Sequence, residues 1–134
     1  MRFFIDTNIL ISAALFPAGK AALVFSHILE SHELILSDYT IRECQQVFAR
    51  KFPEKSNVLN EFFQKIHFTL YQVPESIDAN DFPKIRDAKD LPVLAAAILS
   101  DADILLTGDK DFCDIAIERP VIFSPARYWD LIGT

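Results

Sequence analysis

Short apolar runs alternate along this chain with longer segments whose apolar positions fall in helical register. Arg2 to Ile5 reads as a buried strand that ends on an acid, Asp6. Asp6-Thr7-Asn8 is turn and cap chemistry, followed by the apolar Ile9-Leu10-Ile11 and a break from Pro17 to Gly19. Ala21 to Leu29 has helical periodicity, and Glu33 to Leu36 is a second short strand. Ser37 stands where it can cap a helix with Ile41, Cys44 and Phe48 on one face, and Pro53 interrupts that helix. Val58 to Ile66 predicts a further helix and Phe68 to Val73 a third strand, before a polar stretch from Pro74 to Lys89. Leu91 to Leu99 is apolar all round, which marks a buried helix. Pro92 fits its first turn, where the missing N–H has no helical acceptor to lose. Ile104 to Leu106 and Val121 to Phe123 are strands, and Pro125 to Leu131 closes the chain as a helix.

Strands that are apolar throughout and separated by helices imply a parallel sheet covered on both faces. The expected fold class is therefore α/β, a three-layer sandwich with a central parallel sheet. No repeat, low-complexity tract or long linker divides the sequence, so residues 1–134 are expected to form a single domain.

Composition narrows the class. The chain is 51% hydrophobic and 24% charged, which suits a globular protein with a sizeable core. No apolar run is long enough to span a bilayer, and Asp6 breaks the apolar start that a leader would need, so no membrane association and a cytoplasmic location are expected. Cys44 and Cys113 are far apart and form no paired motif, which predicts free thiols. The net charge of −6 argues against a passive nucleic-acid coat, since such proteins carry an excess of Lys and Arg. It does not argue against an enzyme whose clustered carboxylates are neutralised by cations.

In an open parallel sheet, functional groups gather beyond the carboxyl ends of the strands. Asp6 stands there for the first strand, and Asp109 with Asp111 after Ile104 to Leu106. Glu43, in the helix after the second strand, can point over the same edge, and Asp90 opens the buried helix that feeds the Asp109 strand. Four acids from remote segments can thus converge on one rim. Carboxylates crowded together raise one another's pKa, and a hard cation such as Mg²⁺ or Mn²⁺ relieves that cost. The chemistry such a site offers is hydrolysis of a phosphodiester without a protein nucleophile. Each acid also has an ordinary role. Asp6 can be a helix cap, Glu43 a solvated helix residue, Asp87 and Asp90 caps of the next helix, and Asp109 and Asp111 turn residues. Joint placement, not any single acid, carries the reading. The three histidines lack metal-ligand spacing, no nucleophile elbow occurs, and with three glycines a phosphate-cradling loop is missing. Arg42, Arg50, Lys51 and Lys55 can touch phosphates, although a solvated face is their ordinary use.

Four segments, in order, carry a resemblance. Phe4-Ile5-Asp6-Thr7-Asn8-Ile9-Leu10, Ser37 to Glu43, Asp90-Leu91-Pro92-Val93-Leu94-Ala95-Ala96-Ala97 and Leu106-Thr107-Gly108-Asp109-Lys110-Asp111-Phe112 resemble the successive motifs of a PIN domain. The nearest subgroup is the stand-alone prokaryotic toxin components of toxin–antitoxin systems, similar to VapC. The resemblance implies a PIN-like sheet of about five parallel strands, Mg²⁺- or Mn²⁺-dependent endoribonuclease activity, a small antitoxin partner and a homodimer. It carries the acidic, catalytic and metal-binding set onto Asp6, Glu43, Asp90 and Asp109, with Asn8 and Thr107 as polar support and Asp111 and Asp87 in reserve. Pro92 departs from the plain apolar start that many of these toxins have there, and the extra acid at Asp87 leaves the choice between Asp87 and Asp90 open. The alternatives are an RNA-processing nuclease with no toxin role and a catalytically silent binding or scaffold protein.

Overall fold

Phe3, Phe4 and Ile5 are all fully buried, yet they belong to different cores. Side chains alternate across a strand, so Phe3 and Ile5 enter one apolar cluster while Phe4 enters another. The computed structural model describes residues 1–131; residues 132–134, which the single-domain expectation includes, lie outside the described residues. Its strands are β1 (Arg2–Ile5), β2 (Glu33–Ser37), β3 (Thr69–Tyr71), β4 (Ile104–Leu106) and β5 (Val121–Phe123). The helices are α1 (Thr7–Leu15), α2 (Lys20–Ser31), α3 (Asp38–Lys51), α4 (Ser56–Lys65), α5 (Leu91–Leu99) and α6 (Pro125–Leu131). All strand pairings are parallel and the order is β3-β2-β1-β4-β5. This is the expected covered parallel sheet. One face packs Phe3, Ile5, Leu34, Leu36, Ile104 and Leu106 against helices that include α1, α2 and α4. The other packs Phe4, Ile35 and Leu105 against α5, whose residues Val93 to Ala97 are all buried.

Two segments differ from expectation. Thr7–Leu15 is a full helix although its sequence showed only an apolar run. Ile9, Leu10, Ala13 and Ala14 form the buried face, but Ile11 and Leu15 make the other face largely apolar too, so no polar face marks a period. The third strand is short, Thr69–Tyr71, because it lies at the sheet edge and pairs only along Ile35 to Ser37. The cap of α3 is the one the sequence suggested: the Ser37 hydroxyl accepts the Thr40 N–H and starts the helix. Both cysteines are free thiols, Cys44 buried and Cys113 exposed. No single helix among the described residues is long and apolar enough to cross a membrane.

The topology positions the site. After β1 the chain winds outward through β2 and β3, then returns to the other side of β1 with β4. The order reverses between β1 and β4, and at such a switch point the loops leaving the strands diverge and open a crevice. Ile5 is in register with Leu106, and the Asp6 N–H donates to the Leu106 carbonyl at 3.0 Å. Asp6 and Thr107 therefore leave the sheet side by side.

Candidate metal centre

Asp6 is 7% exposed, and both oxygens of its carboxylate are engaged. Oδ1 accepts the Thr7 N–H at 2.7 Å and Oδ2 accepts the Thr107 hydroxyl at 2.7 Å. An ordinary cap serves the second or third N–H of its helix. Here only the first is served, and the carboxylate is turned across the switch point to β4 instead of along α1. Burial pushes the Asp6 carboxyl above the ordinary value. The Thr107 and Thr7 hydrogen bonds oppose that rise, and the nearby Glu43 and Asp109 charges add to it.

Thr107 is a relay. Its hydroxyl donates to Asp6 while accepting the Asp109 N–H at 3.0 Å, so the loop after β4 is tied to the end of β1. Glu43 comes from α3, and its Oε1 accepts the Thr7 hydroxyl at 2.6 Å. Asp109 is half-buried, and its Oδ1 accepts the Asp111 N–H at 2.9 Å, capping a 3-10 turn over Lys110–Phe112. Asp87 likewise caps the 3-10 turn Ala88–Asp90 through the Lys89 N–H at 3.0 Å. Asp90 occupies the cap position of α5 but its side chain makes no capping bond. Of these acids it is the one left without a local structural task.

The structure brings Asp6, Glu43, Asp90 and Asp109 to one rim: Asp6 feels Glu43 and Asp109, and Asp90 feels Asp109 and Asp6. The tightest grouping is a different one. One carboxylate oxygen each from Asp87, Asp90 and Asp111 lies within 4.8 Å of the others. The two residues held in reserve thus join Asp90 in one cluster, each from a 3-10 turn that an aspartate caps. Asn8 is exposed, and it is Thr7 whose hydroxyl reaches an acid. Sequence reading passed over Thr7, although a hydroxyl directly after a strand-end acid is a signal that it could have used. It also passed over Tyr39 and Arg86. Tyr39 is half-buried in the field of Glu43, Asp90 and Asp6, its phenol raised first by burial and then by those charges. The exposed Arg86 reaches Asp111 at 3.7 Å, as a loose ion pair.

The residues fit a divalent cation. Oδ2 of Asp90 is buried without a hydrogen-bond partner, and a buried acceptor in that state calls for a donor or an ion. The Asp90 carboxyl is pushed up to about 6, first by burial and then by Asp109, Asp87, Asp6 and Asp111. The donor set around it is carboxylate oxygen, the chemistry that hard cations select. Cys44 is no competitor: its thiol is turned to the Thr7 carbonyl, and burial with the Glu43 and Asp6 charges pushes it up to about 12.

A family model described as a PIN domain matches residues 2–111. No curated protein sequence matches the chain. Among solved structures, the crystal structure of VapBC2 from Rickettsia felis bound to a DNA fragment from their promoter contains a similar chain. The two superpose with a TM-score of 0.64 at 16% identity, over 92% of this chain and 98% of that one, a likeness of fold. The family match runs from β1 through β4 and takes in the acids from Asp6 to Asp111, so the chain belongs to the PIN-domain family, whose members are generally nucleases.

Proposed function

We propose that this protein is an Mg²⁺- or Mn²⁺-dependent endoribonuclease and the toxin of a toxin–antitoxin pair. The observation that carries the metal-dependent reading is Asp90 Oδ2, a buried acceptor with no partner among converging acids. In the proposed site Asp6, Glu43, Asp90 and Asp109 hold the cation, with Asp87 and Asp111 placed to take a share from the Asp90 side. A bound divalent ion supplies a more acidic attacking water and neutralises charge on the phosphate. The chain's own part is orientation. Thr107 and the Thr7 N–H fix both oxygens of Asp6, and the Thr7 hydroxyl fixes Glu43. The Asp111 N–H sets the Asp109 carboxylate. Because these donors are in place before any ligand arrives, little reorganisation is left for the reaction.

The toxin role, with a small antitoxin as partner, an RNA substrate, a homodimeric state and a cytoplasmic location, is supported by the family and by likeness of fold to a chain of a VapBC2 complex. The test is cleavage of defined RNAs by the purified protein with Mg²⁺, with Mn²⁺ and with chelator. Metal-dependent cleavage that Asp90→Asn abolishes supports the reading. Cleavage that persists in chelator, or that Asp90→Asn leaves whole, removes the metal site. Growth arrest on expression, relieved by a small protein encoded alongside, separates a toxin from an RNA-processing nuclease.

A further inference from the structure

We infer that the cavity beside the acidic rim is a nucleotide subsite, which takes one splayed base of a single-stranded RNA while Lys110 and Arg127 hold its flanking phosphates. The inference rests on the nuclease reading of the rim and names the form of its substrate. The cavity has a volume of about 510 Å³, within the range of small-ligand sites. It begins at Thr107 and Asp109, two residues of the acidic rim, and continues along β5, the outermost strand on that side. Ile115, Ile117 and Ile122 give it half-buried apolar walls.

Charge decides the occupant. Lys110 and Arg127 line the cavity together with the acids Asp109 and Glu118; both cations are exposed, and among the described residues neither forms an ion pair, whereas Arg2, Arg86 and Arg119 all do. The Arg127 guanidinium lies over the Phe123 ring, 5.1 Å from its centroid, a contact that keeps the cation at the cavity. A chain of net charge −6 repels RNA as a whole, so free cations beside the acids mark where phosphates are tolerated. An apolar chamber flanked by such cations matches a base and its phosphates, and only an unpaired strand can turn a base into it.

Cys113 lines this cavity and is exposed, while Cys44 is fully buried, so alkylation of the native protein reports on Cys113. The probe is a short single-stranded oligoribonucleotide in chelator and low salt, where turnover does not consume it. The expected result is slower alkylation of Cys113 when the oligonucleotide is bound, and no protection by the same sequence in a duplex. Lys110→Gln and Arg127→Gln should each flatten the dependence of log K on log salt by about 0.7. Lys65→Gln, on α4, should leave it unchanged. Binding that leaves Cys113 unprotected, slopes unmoved by both substitutions, or no binding at all overturns the subsite. Protection by an extended peptide but not by RNA overturns it in favour of strand addition at β5. Metal-dependent cleavage measured on the same preparations keeps the two readings apart. Cleavage with Cys113 unprotected removes the subsite and keeps the nuclease, and protection without cleavage under either metal does the reverse.

Discussion

At the amino-terminal edge of the sheet Glu33, Asp101 and Asp103 meet Arg2 and Arg119, whereas at the carboxyl-terminal edge Asp6, Asp90 and Asp109 form no ion pair among the described residues. Arg119 reaches Asp101 and Asp103 at 2.7 Å each, and Arg2 reaches Glu33 at 3.2 Å. The Asp103 carboxyl is held below the ordinary value, first by the Arg2 N–H at 2.7 Å and then by Arg119. At the other edge burial and neighbouring carboxylates raise Asp90 and Asp6. Thus β1 carries a stabilising acidic network before its first residue and a costly one just after its last. Arginine was available to this fold as a neutralising partner, yet among the described residues it reaches only Asp111 at the rim, at 3.7 Å from an exposed Arg86. Acids left in mutual repulsion while the same sheet pairs others marks the rim as the end kept for chemistry.

The contrast breaks most sharply in activity. Asp6→Asn keeps an acceptor for the Thr7 N–H and removes the charge. RNA cleavage should fall at least about tenfold to a hundredfold, the range seen even for groups that only support a ligand, and the fold should survive by circular dichroism. Were Asp6 only a cap, Asn would serve nearly as well, so the change would cost no more than a lost cap, about 0.5–2 kcal/mol, and leave turnover intact. Full cleavage by a folded Asp6→Asn protein would therefore remove the proposed mechanism.

Binding of the ion itself gives the next largest effect. A cation that binds only the folded rim stabilises it by about 2.7 kcal/mol at a concentration a hundredfold above its Kd. Mg²⁺ or Mn²⁺ should thus raise the melting temperature of the wild type, and raise that of Asp90→Asn much less. A scan in which neither ion moves the wild-type Tm would count against any metal at this edge.

How much of this contrast could be read in the sequence follows from what each part depends on. The strands β1 and β4 were legible to the residue because burial on both faces leaves an apolar run ended by a polar residue, and β5 because its three apolar residues stand between Pro120 and Ser124. Convergence of Asp6 and Asp109 followed from strand ends in a parallel sheet. The helix at Thr7–Leu15 was not legible, since Ile11 and Leu15 put apolar residues on its half-exposed face as well and blur the period. Nor was the closeness of Asp87 and Asp111 to Asp90, which depends on two 3-10 turns, each capped by an aspartate. Such turns are set by local backbone hydrogen bonds, and a run such as Arg86-Asp87-Ala88-Lys89-Asp90 does not say which acid caps and which is left free. The ion pairs at the opposite edge join residues up to about a hundred positions apart, beyond any local pattern.

pH sharpens the comparison because the two edges pull in opposite directions. An acid whose folded pKa is raised holds more protons folded than unfolded, so its contribution to stability falls as pH rises through that interval. For Asp90 the interval runs from the ordinary value of 3.8 to about 6, and Asp6 acts in the same sense. In chelator, the stability of wild type relative to Asp90→Asn should therefore fall from about pH 4 to about pH 6 and level off above it. With Mg²⁺ present the fall should be offset, since metal binding needs the deprotonated carboxylates. Melting curves of both proteins across this range, with and without metal, provide the check. A relative stability that climbs through the interval in chelator would show that the Asp90 charge is compensated within the fold.

The smallest effect is expected from the paired edge. Arg119→Gln removes the partner of Asp101 and Asp103 while leaving the Arg2 N–H that bonds Asp103. The guanidinium is 51% exposed, so its pairs are weakened by solvent and screened by salt. The loss in Tm should be slight at low salt and vanish at high salt. The acid dependence should change in one definite way. A depressed folded pKa gives stability that is present above the unfolded value and lost as pH falls through the folded one. With Arg119 gone, Asp103 rises part of the way back towards 3.8, and only part, because the Arg2 N–H is the larger cause of its depression. The variant should therefore lose less of its remaining stability than the wild type on acidification below about pH 4. RNA cleavage and the Mg²⁺-induced shift in Tm should be unchanged, since nothing at this edge touches the rim. If Arg119→Gln reduced cleavage as far as Asp6→Asn does, the two ends of the sheet would be coupled through β1 and β4, and the separation of a stabilising edge from a reactive one would be wrong.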